Sequence, residues 1–206
     1  TLQIVFLLTV LTMAPAILIM TTSFTRFVIV LSFLRQAIGT PQAPSNQIVI
    51  GLALFLSLFV MMPVWEEVNQ VALEPYLEET ISQQEFMDRA TLPIKRFMGK
   101  FTREKDLALF VRIAKLERPK NIEDIPIWVM IPAFVISELK VAFQIGFLLY
   151  VPFLVIDMVV ASILMAMGMM MMPPVMISLP FKLMLFVLVD GWHLILGSMV
   201  QSFMDI

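Results

Sequence analysis

Three ionisable side chains, Asp157, Lys182 and Asp190, lie inside apolar sequence in the last third of the chain. At the centre of a membrane helix each such charge costs about 2.5–3.5 kcal/mol on insertion scales, so it faces protein or water and finds a partner. Lys182 and Asp190 are about two helical turns apart, too far for one direct contact. Partners must therefore come from other segments or other subunits. Two kinds of chemistry fit: ion pairs that hold an assembly together, or a relay for protons or ions.

A further charged island in apolar sequence consists of Glu138 and Lys140. The two residues are two positions apart, so on a helix they point to different sides and do not easily neutralise each other. A relay usually needs more titratable groups in line than these residues provide. The sequence therefore favours assembly pairs, with the relay as the alternative.

Four consecutive methionines, Met169, Met170, Met171 and Met172, follow Gly168 and precede Pro173–Pro174. Four consecutive residues point around all sides of a helix, so they do not form one packing stripe. Methionine is flexible and polarizable and suits surfaces that repack. The run is either a deformable constriction that seals a pore or ordinary apolar surface. The flanking glycine and prolines force a break there, which favours the constriction.

Composition limits the class of protein. Of 206 residues 60% are hydrophobic and the mean hydropathy is +0.92, above the roughly 45–50% apolar content of soluble domains. The net charge of −2 argues against nucleic acid as a partner. Without cysteine, and with His193 as the one histidine, the chain offers no disulfide, Cys-based or His-rich metal site. No nucleophile–base or phosphate-loop pattern is present. We predict a non-enzymatic membrane protein without a cofactor.

Charge is segregated along the chain, because 22 of the 30 charged residues lie between Glu66 and Asp124. We predict an all-α, membrane-associated protein in three regions: an N-terminal apolar helical hairpin region (1–65), a polar helical region (66–126) and a C-terminal apolar hairpin with the Met-rich gate (127–206). Arg26 and Arg35 flank the first connection, which favours its placement on the cytoplasmic side. The polar region then lies on the opposite side, the periplasm of a bacterium.

The apolar regions contain several candidate spans. Residues 2–34, kinked at Pro15, predict one long bent helix or a hairpin, and 48–65 predict a second span ended by Pro63 and the acidic pair after Trp65. In the last region, 127–137 is short, 141–172 is long enough to span, and 175–204 is interrupted by Pro180, Lys182 and Asp190.

In the polar region the sequence predicts short amphipathic helices. Ser82 and Glu85 have capping-box spacing, Pro93 suits a first helical turn, and Thr102 is a candidate cap for the next helix. An apolar face is predicted at the helical spacing of residues 94, 97, 98 and 101.

Three long segments resemble the FliP family of flagellar type III export-gate subunits. They read SFTRFVIVLSFLRQAIGTPQAPSNQIVIGLALFLSLFVMMP (23–63), PAFVISELKVAFQIGFLLYVPFLVIDMVVASILMAMGMMMMPP (132–174) and LPFKLMLFVLVDGWHLILGSMVQSF (179–203). The middle third matches in size and in TREKDLALF (102–110). A homologous subunit exists in the virulence injectisome, but the terminal DGW, GS and QSF motifs look flagellar.

The resemblance implies a pore-forming subunit made with a cleavable signal peptide. It implies about five copies assembled with FliQ and FliR into a helically arranged homo-oligomeric pore in the inner membrane and flagellar basal body. Unfolded flagellar proteins would pass through it. It also implies that much of the apolar helix is held by other subunits above the bilayer plane.

The same resemblance places functional residues. A pore gasket would fall on Met169, Met170 and Met171, extended by Met172. Intersubunit charge pairs would fall on Glu138 and Lys182, with Arg103 and Asp157 as further candidates. The alternative functions are a proton-coupled small-solute transporter that uses Asp157, Lys182 and Asp190, the injectisome subunit, and a scaffold without a pore.

Overall fold

A computed structural model describes residues 12, 15–117, 119, 121–169 and 172–204. Within these residues all of the regular secondary structure is helical and turns or loops join the helices, which agrees with the all-α class predicted from the sequence. The helices are α1 (Pro15–Thr21), α2 (Phe24–Ile38), α3 (Asn46–Val68), α4 (Glu74–Leu77), α5 (Gln83–Phe101), α6 (Glu104–Ile113), α7 (Ile127–Ala166), α8 (Pro174–Leu188) and α9 (Gly191–Met204), with a π-helical turn at Asn69–Leu73 and a 3₁₀ turn at Ile122–Asp124.

The chain folds into two compact units that each combine distant stretches of sequence. Unit 1 contains 1–26 and 57–140, and unit 2 contains 27–56 and 141–206. Helices α2, α3 and α7 contribute residues to both units. The three sequence regions predicted above are a different, linear division of the chain, and that division stays a prediction.

Two helical stretches are long and apolar enough to cross a membrane, Asn46–Leu77 and Ile127–Ala166. Two bent pairs pass the same test, α1 with α2 and α8 with α9, at breaks of 80° and 62°. The described part of the chain therefore has two to four candidate spans. Of the predicted first segment, residues 2–11, 13 and 14 lie outside the described residues. The described remainder contains α1 and α2 with an 80° bend at the break after Thr21, whereas the kink was predicted at Pro15, where α1 begins.

In unit 1 the core forms on one face of α5. Phe97, Met98 and Phe101 are buried, and the Phe97 ring lies 6.0 Å from that of Phe134 on α7. Ser82 caps α5 by accepting a hydrogen bond from the Glu85 amide at 3.3 Å, as the capping spacing predicted. The apolar spacing therefore identified the buried face of this helix.

Two predicted boundaries in unit 1 were wrong. Pro93 does not begin a helix, because the Ser82 cap starts α5 ten residues earlier and Pro93 lies buried in its interior. Thr102 does not cap α6, because its hydroxyl donates to the Met98 carbonyl at 2.7 Å and the extended residue before α6 is Arg103. A proline costs a helix one donor without necessarily ending it.

The second apolar span also extends further than predicted. Helix α3 continues past Pro63 to Val68, and the π-helical turn carries the helical path on to Leu77. One helical stretch of 32 residues results. Glu66 and Glu67, the acidic pair that was expected to end this span, lie inside the helical stretch.

Helix α7 merges two predicted segments into one helix of 40 residues. The two apolar runs predicted from the sequence stop on either side of the charged island, but the helix runs through Glu138 and Lys140 without interruption. Glu138 is neutralised by a partner from another helix, which removes the energetic reason for a break.

In unit 2 the described core follows one face of α2. Phe27, Val30 and Leu34 are fully buried, and the Phe27 ring lies 5.7 Å from that of Phe203 on α9. Helices α7 and α8 form a hairpin whose tip is the methionine turn, as predicted. Of the three interruptions predicted in the last segment, the one at Asp190 is present as the break at Val189 and Asp190, whereas α8 accommodates Pro180 and Lys182.

Candidate functional site

The charge at Glu138 is matched within unit 1 by Arg26. The Arg26 Nε donates to Oε2 of Glu138 at 2.8 Å, and its Nη2 donates to Oε1, so the pair is bidentate. The two side chains are 4% and 0% exposed. The Arg26 guanidinium also lies 5.6 Å from the centre of the Phe101 ring. Such a planar fork-to-carboxylate contact is the strongest kind of ion pair that side chains make.

The charge at Lys182 is matched within unit 2 by Asp157. Lys182 Nζ on α8 lies 2.6 Å from Oδ2 of Asp157 on α7 and also donates to the Ala37 carbonyl at 3.3 Å. The Ser178 hydroxyl donates to Oδ1 of the same carboxylate. Lys182 is 4% exposed and Asp157 is 30% exposed, so the carboxylate keeps one open side. The sequence predicted a partner from another segment or subunit, and in this structure it comes from another segment.

Arg103 belongs to a network with Asp106 and Ser137 in unit 1. Arg103 Nε donates to Oδ2 of Asp106 at 2.8 Å, and the Ser137 hydroxyl donates to the same oxygen at 2.6 Å. The Arg103 amide donates to the Ser137 oxygen at 3.1 Å, which closes the network. Burial alone would raise the pKa of Asp106, but the hydrogen bonds from Ser137 and Arg103 and the Arg103 charge hold that pKa below its ordinary value.

The methionine turn is the segment 167–173 between α7 and α8, of which the structure describes residues 167–169, 172 and 173. Gly168 has φ +74°, a left-handed conformation that glycine adopts without strain, and its amide donates to the Met165 carbonyl. Met167, Met169 and Met172 are exposed, at 66%, 39% and 39%. Met170 and Met171, the other predicted gasket residues, lie outside the described residues. Exposed thioethers at a helix hairpin tip are available to neighbouring molecules.

The predicted site residues therefore fall into separate clusters. Lys182 and Asp157 are brought together, whereas Glu138 and Arg103 each have another partner within unit 1. Sequence reasoning missed Arg26 as the partner of Glu138, and it missed the serines that serve Asp157 and Asp106. Arg26 was findable, because it is a charged residue next to an apolar run in the sequence. The serines carried no such signal. Among the described residues no group of His, Cys, Asp or Glu could hold a metal ion.

The amino-acid sequence was compared with protein families and with known proteins. The FliP family model matches residues 7–199. Relatives named "Flagellar biosynthetic protein FliP" include those of Bacillus subtilis (59% identical, 98% of this chain and 92% of the relative), Pectobacterium carotovorum (58%, 98% and 78%) and Aquifex aeolicus (55%, 98% and 85%). A family match over most of the chain and relatives more than half identical over nearly its full length lead to one conclusion: the chain belongs to the FliP family.

Proposed function

We propose that this chain is a pore-forming, non-enzymatic subunit of the flagellar type III protein export gate. About five copies assemble with FliQ and FliR in the inner membrane at the basal body, and unfolded flagellar proteins pass between them. The relatives compared above all bear a flagellar name, which favours this gate over the injectisome. The polar region 66–126 lies in the periplasm.

The observation that carries the proposal is the position of the methionine turn. In its described part this turn is opened by the left-handed Gly168 and carries the exposed Met167, Met169 and Met172, which are soft side chains at the tip of a helical hairpin. Repeated around an axis, such turns close a hole with deformable groups that yield to a passing chain. The two central methionines, Met170 and Met171, complete the gasket in this proposal.

The length of α7 supports burial in protein as well as in lipid. Forty residues at about 1.5 Å per residue extend about 60 Å, whereas the hydrocarbon core is about 30 Å thick. Tilting α7 by about 40°, the upper end of the usual range, still leaves part of it outside the lipid. Apolar residues are exposed along α7, among them Phe147, Leu148 and Val151, and those that lie outside the lipid require cover by other subunits.

We propose further that Glu138, Lys182, Arg103 and Asp157 contribute to contacts between copies. Asp157 and Arg103 are 30% and 27% exposed, so a neighbour can reach them while their internal pairs persist. Glu138 and Lys182 are enclosed, so a bridge between them across copies requires exchange of their internal partners. Asp157 and Arg103 can therefore contact a neighbouring copy and keep their internal partners, whereas Glu138 and Lys182 must exchange theirs.

A proton-coupled small-solute transporter is the second candidate, and the partly open Asp157–Lys182 pair is the observation that favours it. It predicts solute uptake into vesicles that contain the purified chain alone, and a monomer or dimer in detergent. The export gate predicts a larger homo-oligomer and no such uptake.

Native mass spectrometry of the detergent-extracted complex separates these functions by counting copies. The gate is then tested by replacing Met169–Met172 with alanine and measuring small-ion leak through membranes that contain the assembled complex. Leak is expected to rise, because alanine is too short to fill the constriction. The matched control replaces four exposed helical methionines, Met158, Met176, Met184 and Met204, with alanine. Equal leak in the two variants, or none in the first, would contradict the gasket.

A further inference from the structure

Asp190 is an exposed carboxylate in apolar surroundings. It lies in the two-residue break between α8 and α9, and its neighbours Val187, Leu188 and Leu194 are exposed apolar side chains. Among the residues that the structure describes, no side chain forms an ion pair or hydrogen bond with its carboxylate. Lipid would be an unfavourable environment for this charge, so we expect a cation to pair with the Asp190 carboxylate.

A local structural role does not account for the carboxylate. A helix N-cap has extended backbone, and its side chain accepts a hydrogen bond from the first turn. Asp190 instead has φ +49°, and the contact it makes to α9 uses its backbone carbonyl, which accepts from the Leu194 amide at 3.1 Å. The Asp190 side chain therefore does not cap α9.

An excess of positive charge occurs at Lys140 in unit 1. Lys140 lies near the ammonium group of Lys105 and the guanidinium of Arg103, and Asp106 is a carboxylate close to it. Asp106 is already engaged by Arg103 and Ser137. Lys105 and Lys140 are exposed. Two ammonium groups side by side repel each other, and an added carboxylate relieves that repulsion.

These two patches complement each other. We propose that Asp190 of one copy of this chain binds the Lys140–Lys105 patch of the next copy. The inference rests on the oligomer proposed above and adds a pair that bridges its copies. Lys140 is the suitable cation because it is exposed beside a second ammonium group, that of Lys105, and because Ile136, one helical turn away, is an exposed apolar side chain like those around Asp190.

The geometry of such a contact fits repetition around an axis. The two patches are different surfaces, so each copy uses one to contact the copy before it and the other to contact the copy after it. A contact of this head-to-tail kind builds closed rings or helical arrays, whereas a symmetric dimer would use one patch twice. The contact therefore specifies an order of copies within the gate.

Cysteine crosslinking tests the pair directly, because the natural chain contains no cysteine. The variant Lys140→Cys/Asp190→Cys, oxidised within the assembled complex, is expected to give a ladder of covalent multimers up to the full copy number. Each single variant is expected to give at most dimers. The control pair Arg112→Cys/Asp190→Cys uses another exposed cation, on α6, and is expected to give no ladder.

The outcomes separate this inference from the proposed function. If native mass spectrometry shows the oligomer but the Lys140/Asp190 pair gives no ladder beyond the control pair, or crosslinks only within a chain, this contact is wrong and the gate stands. If the unmodified chain forms no oligomer, both are wrong.

A charge exchange provides a second readout that does not depend on thiols. Asp190→Asn keeps a residue that tolerates left-handed backbone and removes the charge, so a fall in assembled fraction reports the charge rather than the turn. Lys140→Asp and Asp190→Lys are each expected to lower the assembled fraction severalfold, and the double variant to recover most of it. No recovery in the double variant, with the monomer still folded, would overturn the pairing.

Discussion

Arg26 and Glu138 are 112 positions apart in the chain, yet they form a bidentate ion pair with almost no exposure to solvent. The pair ties the start of α2 to α7 within unit 1 and allows α7 to continue as a helix through a buried carboxylate. Desolvation of two charges is costly, so the net contribution of the intact pair to stability is small compared with the cost of leaving one partner alone.

Glu138→Gln is therefore expected to destabilise unit 1 by about 3–5 kcal/mol, because it removes the carboxylate charge that faces the buried Arg26 guanidinium. The measurement is denaturant or thermal unfolding of the detergent-solubilised chain. A double variant, Arg26→Met/Glu138→Leu, removes both charges and is expected to recover most of that loss. The control is Glu85→Gln, whose exposed pair with Arg89 is worth about 0.3–0.5 kcal/mol. Similar losses at 138 and 85 would contradict the buried pair.

Lys182→Glu is expected to weaken both folding and assembly, because it places two carboxylates against each other at Asp157. Two rescues distinguish the possible partners. If the intrachain pair dominates, Asp157→Lys restores the stability of the chain. If the intersubunit pair forms, Glu138→Lys partly restores assembly, measured by native mass spectrometry. The absence of any recovery of assembly with Glu138→Lys, in a chain whose unfolding transition shows that unit 1 is still folded against the Arg26 charge, would remove the proposed bridge between copies.

The Asp106 network predicts a dependence of stability on pH. Because the pKa of Asp106 is lowered in the folded chain, its carboxylate stabilises the fold above the ordinary carboxyl pKa, and this contribution is lost as the pH falls through the folded-state pKa. The difference in unfolding temperature between the natural chain and Asp106→Asn is therefore expected to be largest near neutral pH and to shrink in acid. Asp88→Asn, at an exposed position, is the control. A difference for Asp106→Asn that does not change with pH would contradict the network.

Substitution of Gly168 by alanine is expected to lower the stability of the fold, although substitution of a helical glycine by alanine usually raises it. A Cβ there meets no atom within 4 Å, so any loss in Gly168→Ala comes from the left-handed backbone, which costs an L-residue about 1–2 kcal/mol. Gly197→Ala also meets open space but lies inside α9, where alanine is favoured by about 1 kcal/mol. Unfolding temperatures are expected to fall for the first and rise for the second, and Asn at 168 is expected to be tolerated better than Ala. A change of unfolding temperature in the same direction for Gly168→Ala and Gly197→Ala would contradict the turn geometry.

Periodicity and composition determined much of the fold. Apolar spacing identified the buried face of α5, the capping pattern identified Ser82, and the length of the apolar runs identified a helical protein with candidate membrane spans. These features depend on local backbone preferences and on the exclusion of apolar side chains from water, and both can be read from neighbouring residues.

The tertiary structure decided which charges meet. The sequence required partners for Glu138, Asp157 and Lys182 but did not identify them, because the partners lie 25 to 112 positions away. Glu138 is one such case, because a buried carboxylate needs a cation beside it and only the packing of helices brings that cation within reach.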